Sequence, residues 1–207
     1  MIPFTKVSGV GAVLMRDNID TDQITPGHTL MKLQTSGFGA DLFANWRYLS
    51  DGTANPGFVL NRPPFDSAVF LIAGHNFGCG SSREAAVWAV RDFGIRAIIA
   101  PSFGAIYLRN CYNNGVLPVV LPQSAIVALS AALGSGELEF SVDLEKQQVI
   151  SPDETSFSFE VPETERARLL NGLDQIGATL LREHVISNYQ ERDRLRRPWV
   201  YAMPFIA

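Results

Sequence analysis

The sequence predicts a mixed α/β fold with a parallel core sheet and additional antiparallel strands. Three observations carry that prediction. Between Ala68 and Leu121 three short apolar runs alternate with two helical patterns, and a β-α-β-α-β run of this kind folds as parallel strands with helical crossovers. From Glu137 to Val161 three brief segments show strand-type alternation, visible at Phe157 and Phe159. No internal repeat and no long Pro/Gly/Ser-rich linker divides the 207 residues, so 1–207 reads as a single domain with a β-rich C-terminal part.

The bulk composition narrows the function classes. Hydrophobic residues make up 46% and charged residues 18%, a globular balance that permits a sizeable core. A net charge of −4 offers no basic field for nucleic acid. No apolar run is long enough to span a membrane. Met1 to Lys6 lacks the basic-then-apolar pattern of a signal peptide, so the cytoplasm is the default location. The two cysteines, Cys79 and Cys111, are too few for a disulfide scaffold and too few to hold an iron–sulfur cluster. His28, His75 and His184 are widely spaced and form no zinc-ligand pattern. If a metal takes part in the chemistry, another chain must bring it.

Taken in order, Val7 to Met15 is short, apolar and punctuated by glycine, and reads as a buried strand. Arg16 to Gly27 follows, with Asp17, Asp20 and Asp22 close together, Thr21 and Thr25 among them, and a closing Pro26-Gly27 turn. This is a polar loop whose Asp and Thr side chains can bond their own backbone. A calcium loop is excluded by the missing EF-hand spacing and closing glutamate. Thr29 to Leu33 is too short to classify. Phe38 to Leu49 reads as an irregular helix, and Ser50 to Pro64 as a loop with a short extended piece at Phe58 to Leu60. The stretch 31–64 is expected to be the mobile part of the chain, placed to act as a lid or specificity element.

Ala68 to Ala73 is a central strand. Ala86, Val87, Val90 and Phe93 then follow helical spacing to a stop at Gly94. Arg96 to Ala100 is a second buried strand. Pro101 and Ser102 open a helix over Phe103 to Tyr112, closed by Asn113-Asn114-Gly115, and Val116 to Leu121 is a third strand. Ser124 to Leu133 is helical and ends at Gly134. Glu137 to Val142, Gln147 to Ile150 and Ser156 to Val161 are the antiparallel strands. Pro162 to Leu170 and Leu180 to Arg192 are the last helices. A tail, 193–207, is basic and then apolar. Its Trp199 suits either a docking anchor or a residue folded on its own domain.

The connection Gly74-His75-Asn76-Phe77-Gly78-Cys79-Gly80-Ser81-Ser82-Arg83-Glu84 joins the central strand to its helix and concentrates the chemistry. One reading is structural. Ser81-x-x-Glu84 has the form of a capping box, the glycines serve a tight turn, and Cys79 is a small buried residue. The other is functional. A glycine-rich turn into a helix exposes backbone N–H groups to an anion, and Arg83 adds a guanidinium fork matched to a carboxylate. A cap needs neither two hydroxyls nor an arginine, and Gly78 and Gly80 would let the backbone approach a ligand closely. Ser81 in so positive a setting could lose its proton and act as a base. The lysine of a phosphate loop is missing. So are the third glycine of a dinucleotide fingerprint and the second glycine of a nucleophile elbow.

At these residues the chain resembles the small-subunit family of the 3-isopropylmalate dehydratases, relatives of the swivelling fourth domain of aconitase. Asn76 to Glu84 matches the family signature, Asp20-Thr21-Asp22-Gln23-Ile24 its N-terminal loop, and Ala100 to Phe103 with Asn113 to Val119 its central segment. Gly37 to Gly39 with Leu42-Phe43 and Trp46-Arg47, and Asn171 to Gly177, are also similar, so the likeness covers most of the chain. The resemblance implies a swivelling β/β/α domain. It also implies an enzyme of two different chains, whose large subunit carries a [4Fe-4S] cluster with one iron open to substrate. The substrate would be a small di- or tricarboxylate, dehydrated and rehydrated so that a hydroxyl moves between adjacent carbons, as in leucine biosynthesis. By the same likeness Ser81 removes the carbon-bound proton and Arg83 pairs with a substrate carboxylate. Ser82, Thr21 and Asp22 complete the polar wall, with Asp22 orienting an arginine or histidine from either chain.

Three positions depart from the family pattern. Ala85 stands where histidine is usual, Gly27 where lysine is frequent, and Thr35 where arginine is frequent. Ser81 and Arg83 are untouched. A paralogous hydro-lyase acting on methylmalate, dimethylmalate or a homoaconitate-type acid, or a non-catalytic anion-binding module, therefore stays open alongside the 2-isopropylmalate reading.

Overall fold

The computed structural model describes residues 1–27, 36–80, 83–134 and 136–202. Its centre is a seven-stranded sheet in the order β4-β3-β2-β1-β5-β6-β7. Strand β1 (Lys6–Leu14) occupies the middle and divides its length between two partners. Its first half, Lys6 to Val10, pairs antiparallel with β5 (Glu139–Asp143), and its second half, Gly11 to Leu14, pairs parallel with β2 (Phe70–Ala73). β2, β3 (Ala97–Ala100) and β4 (Leu117–Val120) continue in parallel, whereas β6 (Gln148–Ile150) and β7 (Ser156–Ser158) extend the antiparallel side. The mixed α/β fold expected from the sequence is the fold observed.

The apolar runs explain the layering. Every residue of β2 and of β3 is buried, as expected of strands covered on both faces. Their side chains divide by the two-residue period of a strand. Leu71, Ala73, Ile98 and Ala100 join a core with Ala86, Val87 and Val90 of α3 (Glu84–Phe93) and Tyr107 and Cys111 of α4 (Ala105–Asn114). Phe70, Ile72, Ala97 and Ile99 face the opposite core, with Ile126 and Leu129 of α5 (Gln123–Gly134) and Phe140 and Val142 of β5. Gly94 and Gly115, both left-handed, end α3 and α4 at the positions expected.

Local predictions shift where tertiary contacts compete. The polar loop after β1 contains one helical turn, α1 (Thr21–Ile24). The irregular helix after Phe38 is a 3-10 turn, Gly39–Asp41, and a short α2 (Ala44–Arg47), separated by Phe43 at φ 50°. The extended piece expected at Phe58 to Leu60 is instead a 3-10 turn, Val59–Asn61. Leu60 is buried there, and the Asn61 amide donates to the carbonyls of Arg47 and Asn55. Helix α4 starts at Ala105 rather than Phe103, because the backbone of Ser102 to Gly104 is drawn into bonds with Phe77. Of the lid expected at 31–64, Met31 to Thr35 lies outside the described residues. The rest sends Phe38, Leu42, Phe43, Phe58 and Leu60 into the core.

After α6 (Glu163–Asn171) come α7 (Gln175–Leu180), α8 (Glu183–Arg196) and a short α9 (Pro198–Tyr201). The last helix expected from the sequence is thus longer and is followed by another. Asp193 is the buried residue of α8, held by Arg197 and by the Tyr201 hydroxyl. Trp199 is exposed.

Candidate active site

The carboxyl ends of β1, β2 and β3 lie side by side, and the loops that leave them build one surface. Ligands of open α/β sheets bind outside this edge. The glycine-rich turn after β2 forms the middle of the surface and is bonded on both sides. On one side the loop after β1 runs along it. Gly74 N–H donates to the Arg16 carbonyl, His75 N–H to Asp17 Oδ1 at 2.8 Å, and Gly78 N–H to the Ile19 carbonyl at 2.7 Å. Asn18 N–H donates back to the His75 carbonyl, and the Asn76 amide reaches Asn18 Oδ1 at 2.9 Å. On the other side Asn76 N–H donates to Ser102 Oγ, Phe77 N–H to the Ser102 carbonyl, and Gly104 N–H to the Phe77 carbonyl. Three segments far apart in sequence are tied into one rigid rim.

The glycines have different reasons to be glycine. A Cβ on Gly78 would lie 2.1 Å from Cγ of the fully buried Tyr107, and its φ is +71°. Gly78 therefore has a packing requirement of its own, against α4. Gly80 has φ +86°, and a Cβ there would make only an ordinary contact with Asp20 Cβ at 3.8 Å, so its requirement is conformational. Cys79 is a partly buried free thiol, not the fully buried residue of the structural reading. Asn76 holds φ 57°, uncommon for a residue other than glycine and tolerated best by Asn and Asp.

The capping register also differs from expectation. Helix α3 begins at Glu84, its N-cap is Arg83 with extended backbone, and no side chain among the described residues caps it, so Glu84 is the first helical residue and not the third. The Glu84 carboxylate instead accepts from Asn114 at the far end of α4. The capping box of this region belongs to α1. Asp20 Oδ1 accepts from Gln23 N–H at 2.7 Å, and Gln23 Oε1 accepts from Asp20 N–H at 2.9 Å. The signal was present in Asp20-x-x-Gln23, an N-cap residue with glutamine three positions on.

Arg83 and Asp22 are brought together. Arg83 Nη1 donates to Asp22 Oδ1 at 2.6 Å, with the two side chains 29% and 59% exposed. Among the described residues this is the one side-chain hydrogen bond of Arg83, and Nε and Nη2 make none to them. Thr21 is buried beneath the same wall, and its N–H donates to the Cys79 carbonyl. Ser81 and Ser82 lie outside the described residues. Ala85 is buried in the core against α3's neighbours. The sequence reasoning missed Asp17, Asn18 and Ser102 as residues that hold the turn. Their partners lie 26 to 58 positions away, beyond the reach of local pattern. Among the described residues no three His, Cys, Asp or Glu side chains converge as metal ligands.

Two family models match the chain. The aconitase C-terminal domain covers residues 1–124, and LeuD_N covers residues 131–163. A protein of Cupriavidus necator named 3-isopropylmalate dehydratase small subunit is 48% identical over 205 residues, spanning 97% of this chain and 99% of that protein. The chain belongs to the 3-isopropylmalate dehydratase small-subunit family. A family member from Rhizobium meliloti (strain 1021) is likewise 48% identical, over 96% of this chain and all of its own length. The crystal structure of 3-isopropylmalate dehydratase (leuD) from Methanocaldococcus jannaschii shares the fold, with a TM-score of 0.66 at 24% identity over 89% of this chain and 99% of that one. Family membership accounts for the swivel-type arrangement of a parallel core flanked by antiparallel strands.

Proposed function

We propose that this chain is the small subunit of a two-chain hydro-lyase that interconverts 2-isopropylmalate and 3-isopropylmalate by dehydration and rehydration, in leucine biosynthesis. The observation that carries this reading is the near full-length likeness to proteins named 3-isopropylmalate dehydratase small subunit. Those names favour neither a paralogous acid nor a non-catalytic anion-binding module. They also imply a large-subunit partner.

In this reading the rim at the carboxyl ends of β1 to β3 is half of the active site. Arg83 binds a substrate carboxylate through the Nε–Nη2 edge, while Asp22 holds the other end of the guanidinium and fixes its plane. Ser81 removes the proton on the carbon that becomes part of the double bond, and returns one on rehydration. Ser82 adds a hydroxyl to the polar wall, and Thr21 supports the turn from below. The donor set of the described residues does not fit an iron–sulfur cluster, so the cluster is assigned to the large subunit. When bound there, it supplies the Lewis acid for the leaving hydroxyl. No helix of the described residues is long and apolar enough to cross a membrane, which accords with a cytoplasmic setting.

The test is reconstitution. This chain alone should turn over no isopropylmalate, and the mixture with a cluster-bearing large subunit should do so. Ser81→Ala in the assembled pair should lower kcat by about a hundredfold or more, the scale of general acid–base catalysis. Retained turnover would remove Ser81 as the base. An inactive wild-type pair would remove the reading.

A further inference from the structure

The arm formed by α7, α8 and α9 is folded but hardly packed. It leaves the body where the Gln175 amide donates to Asn113 Oδ1 at 3.0 Å, at the end of the parallel strands opposite the rim. Asp193 is the one buried residue of α8. The apolar residues of the arm are turned outward. Ile176, Leu180 and Leu181 at α7, and Val185, Ile186 and Tyr189 of α8, are between 39% and 71% exposed. The last three, at i, i+1 and i+4, share one side of their helix. Leu195 is 87% and Trp199 65% exposed. At about 150–250 Å² for a whole aromatic side chain, these residues together leave on the order of 1,000 Å² of apolar side chain in water, against roughly 300–600 Å² for the largest patch of a typical monomer. Elsewhere among the described residues, exposed large apolar side chains such as Leu49, Ile106 and Val127 come from separate elements.

The arm is also preorganised. Both carboxylate oxygens of Asp193 accept from Arg197, and one accepts from the Tyr201 hydroxyl, which locks α9 onto α8. Arg197 Nη2 donates to the Tyr189 hydroxyl at 3.3 Å. A groove of about 660 Å³ lies here, lined by Tyr189, Arg192, Asp193, Arg196, Arg197 and Trp199. Arg197 is paired with Asp193, but no carboxylate among the described residues stands within salt-bridging distance of Arg192 or Arg196. Exposed aromatic residues and arginines, held rigid, are the composition of interface anchors.

We propose that α7 to α9 form the docking arm for the large subunit. The outward apolar side packs on an apolar surface of that chain, and the groove receives a carboxylate that it presents to Arg192 and Arg196. Two observations choose this occupant. The relatives' names imply a large-subunit partner. A stable interface takes roughly 800 Å² from each side, and the arm has that area to give. The proposal rests on the two-chain reading and adds the surface that joins the chains.

The experiment titrates the large subunit with three small subunits: wild type, Val185→Ala with Tyr189→Ala, and Arg192→Glu with Arg196→Glu. The concentration giving half-maximal turnover of isopropylmalate is read beside gel filtration of each mixture. Each small subunit is also melted and sized alone. Both variants should raise the half-saturating concentration by about tenfold or more, the scale of lost interface anchors. Turnover at saturation and the melting temperature should stay at the wild-type level. The charge-reversed variant should also lose the salt dependence of binding. Unchanged half-saturation in both variants would overturn the proposal. So would a lowered melting temperature in both, which would mean that the arm packs on its own body, or a loss confined to turnover at saturation. A small-subunit dimer that the variants dissolve, with binding to the large subunit unaffected, would give the arm to a second copy instead. A wild-type pair that associates without turning over isopropylmalate removes the dehydratase reading, and gel filtration of the variants still decides the arm. Wild-type chains that do not associate sink both.

Discussion

Arg83 Nη1 and Asp22 Oδ1 meet at 2.6 Å across 61 positions of sequence, joining the N-cap of α3 to the single helical turn after β1. Both side chains are partly exposed, so water screens the pair and its contribution to stability is about 1 kcal/mol or less. Its value is orientation. Asp22→Asn should therefore leave the melting temperature within about 4 °C of wild type. In the assembled enzyme the same change should raise KM severalfold by freeing the guanidinium plane. Arg83→Lys should raise KM further, by about tenfold or more, because an ammonium has no bidentate fork. Steady-state kinetics beside a thermal melt separates the two effects, and a large drop in melting temperature for Asp22→Asn would contradict the assignment.

Gly78 and Gly80 should respond differently to substitution. Gly78→Ala forces a Cβ into the ring of buried Tyr107 and strains a left-handed backbone, a combination expected to cost about 3 kcal/mol or more. Gly80 has the strain but not the clash. Gly80→Asn, with a residue that tolerates positive φ, should cost about 1 kcal/mol or less. Urea unfolding of the two variants gives the comparison, and equal losses would mean that the Tyr107 contact is unimportant.

Three residues of α4 make the protein sensitive to alkali. Burial pushes the Tyr107 hydroxyl well above its ordinary range, with the nearby Cys111 thiol adding to the effect. Burial likewise pushes the Cys111 thiol up, and holds Tyr112 up to about 12. All three keep their protons in the folded state at a pH where the unfolded chain has released them. The unfolded state then binds fewer protons, so stability falls as pH rises. The fall should begin near 9.0, the ordinary thiol value, and continue toward 12. Melting temperatures taken across this window should decline steeply. The slope should be shallower in Tyr107→Phe, which removes one of the three buried titrating groups. An unchanged slope in that variant would exclude Tyr107 from the effect.

Thr25 offers a stability gain near the site. Its residue is 3% exposed, and its Oγ1 is buried without a hydrogen-bond partner among the described residues. An orphaned buried hydroxyl costs about 1–3 kcal/mol, and valine has the same shape without it. Thr25→Val should raise the free energy of unfolding by about 1 kcal/mol in urea titration. A loss of similar size would mean that the hydroxyl has a partner in the native protein.

The strands and helices of the core were legible because their signals are local. β2 and β3 are unbroken apolar runs, α3 repeats its apolar residues at helical spacing, and Gly94 and Gly115 mark helix ends by their freedom at positive φ. The start of α4 was misread because Ser102 and Phe103 have a stronger use elsewhere, bonding and packing against the turn at Phe77. The capping box was assigned to Ser81 and Glu84, yet a formal match of the same kind stood at Asp20 and Gln23. Sequence spacing alone does not tell which of two matching boxes has helical backbone beneath it.

By itself, the sequence determined the class of fold, the order of its elements and the cluster of chemistry around Arg83. Each follows from side-chain periodicity, glycine placement and residue type within a short window. Only the tertiary structure decided that Arg83 is held by Asp22, that Gly78 packs against Tyr107, and that Gly27 borders the Arg83–Asp22 pair. These are contacts between segments that parallel strand pairing brings to one edge of the sheet. Their existence depends on how the strands align, and no local stretch of sequence encodes that alignment on its own.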